Sequence, residues 1–266
     1  MKSLHKDSRI SKLRLTDNDI KKLSGFEKEW ERTLRLIFRS RFPHKYSRSI
    51  TSVRIPGLLE RLSIPECRYN HGKNVLLNIA GPSGVGKGTL GLKLERKGIQ
   101  RFVRTTSRPR RTTERNGVDY IFLNEKQFKK MQTNNAFLSA FATYGEWRGI
   151  DHKTFWQLIR NNKLFYIDGC AQTSKDIFKA LSAKGLPYLS LFILPPSFQE
   201  LVARLLSRTS GEKEKDILNR QILRRIRSAL QHLRESGLKY RDTNLIHGYI
   251  LNDSVDRAVW SILQII

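Results

Sequence analysis

Cysteine is nearly absent from this sequence: Cys67 and Cys170 are the two in 266 residues, with no CxxC pair and no Cys/His cluster. That excludes a disulfide framework and a thiolate zinc site, and it fits a reducing compartment. No run of eighteen apolar residues occurs, so no segment reads as a transmembrane helix. The opening stretch MKSLHKDSRISKLRL is basic but lacks the apolar core of a secretory leader. Asp7, Asp17 and Asp19 count against an organellar presequence, which is poor in acids. A cytoplasmic protein is the expectation, with organelle import the alternative. Internal repeats and low-complexity tracts are lacking as well. Acids are scarce beside bases: 24 Asp and Glu stand against 50 Lys and Arg, a formal net charge of +26 at pH 7. Such a surface attracts polyanions, so nucleic acid, nucleotides and acidic headgroups are the partner classes to weigh against a merely basic exterior.

What is present is ordinary for a globular chain, 39% apolar and 28% charged, long enough for one α/β domain with an extension. Between Asp17 and Phe42 the residues Ile20, Leu23, Phe26, Trp30, Leu34 and Phe38 recur at helical spacing among Lys and Arg. This predicts one amphipathic basic helix, stopped by Pro43. A short helical stretch at Leu58–Leu62 precedes the breaker-rich SIPECRYNHGK, which reads as a linker. The chain therefore divides into a basic helical extension, 1–72, and a second unit, 73–266. In the second unit strands and helices alternate. VLLNIA, QRFVRTT, DYIFL, KLFYID, YLSLFIL and LIHGYILND read as strands; GKGTLGLKLERKG, SFQELVARLLSR, EKDILNRQILRRIRSALQHL and SVDRAVWSILQII read as helices. The predicted fold class is α/β, a parallel sheet with helices on both faces.

GPSGVGK, Gly81 to Lys87, matches GxxxxGK and stands between an apolar strand and a helix, where a phosphate-binding P-loop belongs. Gly81, Gly84 and Gly86 let successive amides turn toward a phosphate, the following helix N-terminus adds partial positive charge, and Lys87 reaches the β- and γ-oxygens. Ser83, Val85, Gly88 and Thr89 complete the candidate ATP-binding stretch. Gly88 follows the lysine, which displaces the hydroxyl to Thr89. Mg²⁺ is then expected on the nucleotide's phosphates and water, with Thr89 the chain's own candidate ligand.

TTSRPRR (Thr105 to Arg111) and NGVDYIFL (Asn116 to Leu123) follow in order. With GKGT before them, they resemble the guanylate kinase-like family of P-loop nucleoside monophosphate kinases. The resemblance implies a P-loop NTPase fold with a small acceptor-binding lobe at about 104–150 and an arginine-bearing lid at about 205–222. A monophosphate dianion calls for paired guanidinium groups and a phenol, for which Arg108, Arg110 and Tyr120 are the candidates. The sequence departs from the family pattern in four places. Ser107 stands where the family has Arg, with Arg108 one position on. Ser139, in AFLSAF, stands at the glutamate that reads guanine, so base specificity is expected to relax or change. Arg148, in EWRGI, replaces a phosphate-contacting tyrosine, and Trp147 beside it either stacks on a base or packs inward. Asp168 remains from an acidic pair that contacts acceptor or metal; the alternative is a cap for the helix after Cys170.

SFQELVARLLSRTSGEKEKDILNRQILRR resembles the family's lid, which makes Arg204, Arg208 and Arg220 the arginines that close over the nucleotide and neutralise the transferring phosphoryl group. The register between Arg220 and Arg224 stays open. Asn252, in ILND, matches the segment framing the adenine pocket. The implied activity is ATP- and Mg²⁺-dependent phosphoryl transfer to a nucleoside monophosphate, GMP first. The alternatives are a phosphorylated-sugar kinase on the same scaffold, as in ribose bisphosphate phosphokinases, and a docking protein for RNA, a ribosome or another polyanion. Nothing in the family accounts for the extension, whose helix could cover the kinase core, form a dimer, lie on an anionic membrane or touch nucleic acid.

Overall fold

The structure, a computed structural model, describes residues 17–39, 76–143, 145–161, 164–207, 215–235, 245–246 and 248–266. In chain order these form α1 (Asp17–Arg39), β1 (Leu76–Ala80), α2 (Lys87–Glu95), β2 (Gln100–Arg101), β3 (Thr105–Thr106) and β4 (Ile121–Phe122). Next come α3 (Glu125–Thr133), β5 (Phe137–Thr143), β6 (Glu146–Asp151), α4 (His152–Arg160), β7 (Phe165–Gly169) and α5 (Ala171–Ser182). The last elements are β8 (Tyr188–Leu194), α6 (Phe198–Ser207), α7 (Lys215–Arg234), β9 (Gly248–Leu251) and α8 (Val255–Leu263).

Every residue of β1 is buried, as a strand covered on both faces requires. It sits at the centre of a parallel five-stranded sheet of order β2-β7-β1-β8-β9. Strand order reverses at β1, and in such sheets ligands bind in the crevice beyond the carboxyl ends of the strands at the reversal. The P-loop leaves β1 at that end, and Asp168 and Gly169 end the neighbouring β7. Asn78, inside β1, spends its amide on Ser174 Oγ of α5 at 2.7 Å and Ser190 Oγ of β8 at 2.9 Å, tying three elements together beneath the site.

A smaller mixed sheet, β4-β3-β6-β5, forms the lobe beside this crevice. The single strand expected over Gln100–Thr106 is divided: β2 belongs to the large sheet and β3 to the small one. Phe102, buried between them, packs edge-on against Phe155 at 6.2 Å and tilted against Phe165 at 6.3 Å, pinning the crossing. α3 starts with a capping box between Asn124 and Gln127, and its Phe128 stacks on Phe137 and on Trp147. Trp147 therefore packs within the lobe.

α1 lies against the core. Leu23, Trp30, Thr33 and Ile37 form its buried face, and the Trp30 ring lies 6.2 Å from that of Phe198 on α6. Glu27 accepts from Gln199 of α6, Glu29 pairs with Arg234 of α7, and Arg227 of α7 sits over Phe26 at 5.9 Å. The helix thus bridges α6 and α7, the first of the four placements its sequence allows. The expected helical stretch at Leu58–Leu62 and the division at 72/73 lie outside the described residues. Among the described residues no helix is long and apolar enough to cross a membrane.

Candidate active site

Gly86 takes φ 93° at the start of α2, and a Cβ there would come within 2.3 Å of Asn252 Nδ2, so this position excludes any side chain. The Lys87 ammonium donates to the carbonyls of Gly81 at 2.7 Å and Pro82 at 2.9 Å and lies 3.9 Å from Asp168 Oδ1. These contacts hold it over the loop, where a phosphate would meet it.

A cavity of about 670 Å³ opens here, within the range of small-molecule sites. Gly81, Ser83, Gly84, Gly86, Lys87, Gly88 and Thr89 line one side, and Arg108, Tyr120, Arg148 and Asp168 line the other. Eleven of the eighteen candidate positions thus share one space. Val85 is buried beneath the loop, and its carbonyl accepts from Asn252 Nδ2 at 2.7 Å and from Arg204 Nη1 at 3.2 Å. Arg204 also donates to Asn252 O at 3.0 Å and to Glu200 at 2.8 Å. It is a strut behind the P-loop rather than an arginine over the nucleotide. Asn252 is buried, and its Oδ1 has no partner among the described residues. Arg208 lies outside the described residues. Arg220 falls within α7, with its side chain outside them.

On the acceptor side Arg104, which the motif reading passed over because it precedes the paired threonines, is the most enclosed cation. It donates to Tyr120 Oη at 3.1 Å and lies 3.7 Å from Asp168 Oδ2. Burial works against its charge, but Tyr120 and Asp168 outweigh burial and raise its pKa above the ordinary value. Asp168 thus faces Lys87 and Arg104, and Cys170 occupies the cap position of α5, its thiol 3.5 Å from the Thr173 hydroxyl and making no capping bond. Arg101, Arg104 and Arg108 all stand within 5.9 Å of the Tyr120 ring centre. Arg148 pairs with Glu146 at 3.0 Å.

Two candidates point away from the cavity. Arg110 is exposed and donates to the backbone oxygen of Glu114 at 2.8 Å, while Arg111 lines the cavity in its stead. Ser139 is buried, its hydroxyl donating to Asp176 Oδ2 of α5 at 2.6 Å. A register shift between Phe137 and Ser139 re-aims this part of β5.

Glu114 organises the loop after β3. It receives Arg108 Nη2 on both oxygens, at 2.6 and 2.7 Å, and the Arg111 amide at 3.0 Å. Burial pushes this carboxyl up, but the Arg108 and Arg111 bonds and charges prevail, so it titrates below its ordinary value. A depressed folded-state pKa contributes stability that is present above the unfolded value and is lost as pH falls through the folded one. Glu114→Gln is therefore expected to cost about 1–3 kcal/mol near neutrality. Thermal melts of both proteins should converge as the pH is taken down to about 3, below the ordinary carboxylate range. A gap that stays constant over that range would show that the ion pair is not its cause.

α7 supplies two further lining residues, Arg225 and His232. Periodicity located the helix, but which arginine turns inward depends on its rotation about its own axis. Among the described residues no cluster of three or more His, Cys, Asp or Glu is arranged to hold a metal.

The comparisons with known proteins decide the family. The guanylate kinase family model matches residues 73–266. A guanylate kinase of Clostridium acetobutylicum is 34% identical over 202 residues, covering 73% of this chain and 85% of that protein. The chain belongs to the guanylate kinase family. Another relative, a guanylate kinase of Bartonella henselae, is 29% identical over 189 residues, covering 71% of this chain and 82% of the relative. Among solved structures, guanylate kinase from Anaplasma phagocytophilum shares the fold, with TM-score 0.50 at 18% identity, over 73% of this chain and 85% of that one. This family member is a nucleoside monophosphate kinase-like enzyme with a P-loop. Of the positions where the sequence departs from the family pattern, Arg148 and Asp168 line the cavity, whereas Ser107 and Ser139 are not among its lining residues.

Proposed function

We propose that this protein transfers the γ-phosphoryl group of ATP to the phosphate of a nucleoside monophosphate, with GMP as the leading acceptor. The observation that carries this reading is a single cavity shared by the P-loop and an arginine cluster. Seven cationic side chains line it against three carboxylates, Glu114, Asp119 and Asp168. A magnesium nucleotide and a monophosphate dianion together bring about four negative charges, which this excess balances.

In this reading residues 73–266 are the kinase unit, 104–150 the acceptor lobe, 205–222 the lid and 1–72 the extension. Lys87 and the loop amides bind the β- and γ-phosphates, and Arg225 meets them from α7. Arg104, Arg108, Arg148 and Tyr120 hold the acceptor phosphate, with Asp168 orienting Arg104 and Lys87. The chemistry is then positioning and charge neutralisation, with water kept out. Thr89, on the cavity wall two residues after Lys87, is the chain's own oxygen for Mg²⁺, which when bound with ATP shares the charge of the β- and γ-oxygens. Base selection is the least family-like feature. Ser139, at the position of the missing glutamate, is engaged with Asp176.

The experiment is transfer of labelled γ-phosphate from ATP to GMP, dGMP, AMP, CMP, UMP and ribose phosphates. Transfer to GMP above the other nucleotides supports the proposal. Transfer confined to a sugar phosphate would replace it, and silence across the panel would remove it.

A further inference from the structure

Arg225 and His232 are seven residues apart on α7, two helical turns, and therefore share one face. Both line the cavity, while Ile226, Leu230 and Leu233 on the adjoining face are buried in the core. The helix is thereby fixed in rotation, with the His232 imidazole half-buried on the same cavity wall as Lys87. An imidazole ordinarily changes charge near neutral pH, unlike the guanidinium groups around it. We propose that His232 is a phosphate-contacting residue of the nucleotide site, and that the nucleotide binds together with a proton taken up from solvent onto its ring nitrogen. This rests on the kinase reading above.

The charged surroundings give the sign. Facing His232 are Lys87 across the loop, with Asp168 3.9 Å beyond it, and Arg225 and Glu235 on α7 itself. The charged groups that α1 and α6 direct at this region, Glu29 and Arg204, are engaged with Arg234 and with Glu200. Burial first, and then the Lys87 ammonium, hold the imidazole's pKa below its ordinary value, Glu235 working the other way. The free protein is thus poised with a neutral ring. A polyphosphate at Lys87 brings negative charge to the same wall, which favours the imidazolium and raises its pKa. Between the free and bound pKa values, binding takes up a proton and tightens as pH falls. Below the free value both states are protonated and the dependence levels off.

The test is calorimetric titration of the whole protein with magnesium AMP-PNP at pH 6.5 and 8.0, in buffers of different ionisation heat, for the wild type and His232→Gln. The ligand's own proton is common to both proteins, so their difference counts the imidazole. The wild type should take up a larger fraction of a proton at pH 6.5 and gain about three- to tenfold in affinity over the variant between pH 8.0 and 6.5. Protons are counted per nucleotide bound, so a partly unfolded sample changes the stoichiometry and not the count. Glu235→Gln, which keeps the imidazole but removes a neighbour favouring its charge, should move the window to lower pH. Equal proton counts in wild type and His232→Gln would overturn the proposal. Absence of AMP-PNP binding by the wild type at both pH values would remove the kinase reading and this inference with it.

Discussion

Replacing Lys87 by alanine will lower the rate of phosphoryl transfer by about a thousandfold or more, because a preorganised cation aimed at developing phosphate charge is among the largest single contributions to such reactions. The effect should fall on kcat more than on KM, since the loop amides remain to bind the nucleotide. The geometry argues that the ammonium is set before the nucleotide arrives. It bridges the carbonyls of Gly81 and Pro82, the two residues that begin the loop. Lys87→Arg should fail nearly as badly, because a planar guanidinium cannot sit between those carbonyls as a compact ammonium does. Steady-state rates with the acceptor identified in the panel, alongside AMP-PNP affinity, separate the two parameters. A variant within about threefold of wild type in kcat, far short of what losing one such donor costs, would mean that Lys87 does not meet the transferring group.

Trp30→Ala carries the largest expected cost in stability, about 3–5 kcal/mol in urea unfolding, the usual range for removing a buried Trp. Trp30 is 1% exposed and anchors α1 on Phe198. Its indole N–H has no partner among the described residues, so Trp30→Phe gives up less than its volume suggests. It should lie within about 2 kcal/mol of wild type, because it leaves a much smaller cavity than alanine does. A loss below about 1 kcal/mol for Trp30→Ala would mean that α1 is only loosely seated and contributes little to the core. The comparison also asks whether the extension and the kinase unit unfold together, which the buried face of α1 implies.

The parts of this protein that a reader of the sequence could find were those whose physics is local. GPSGVGK needs only its glycines, its lysine and a strand and helix on either side, all contiguous. The central strands were legible because a strand buried on both faces is an unbroken apolar run. The side chains that meet across the cavity were less so. Arg104 and Arg108 lie on opposite sides of the paired threonines, and only the path of the chain after β3 decides that Arg110 faces solvent while Arg111 turns in. Ser139 sits just past a register shift that no residue type announces. Arg204 looked like a lid arginine because it ends a helix in an arginine-rich stretch, yet its guanidinium is occupied by carbonyls contributed from Val85 and Asn252, far from it in sequence. Arg225 and His232 were hidden by the same limit: periodicity gives a helix its two faces but not the neighbour each one meets.

The bond from Asn252 to the carbonyl of Val85 joins positions 167 residues apart. During synthesis at about 5–20 residues per second, the loop that grips phosphate waits roughly ten to thirty seconds for its last support. Throughout that interval Gly86 lacks the neighbour it was shaped to admit, and Arg204, once made, lacks one of its two carbonyls until Asn252 follows 48 residues later. A ribosome-bound chain therefore carries the whole phosphate-binding sequence without a finished phosphate site, which is completed only when Asn252 has been made.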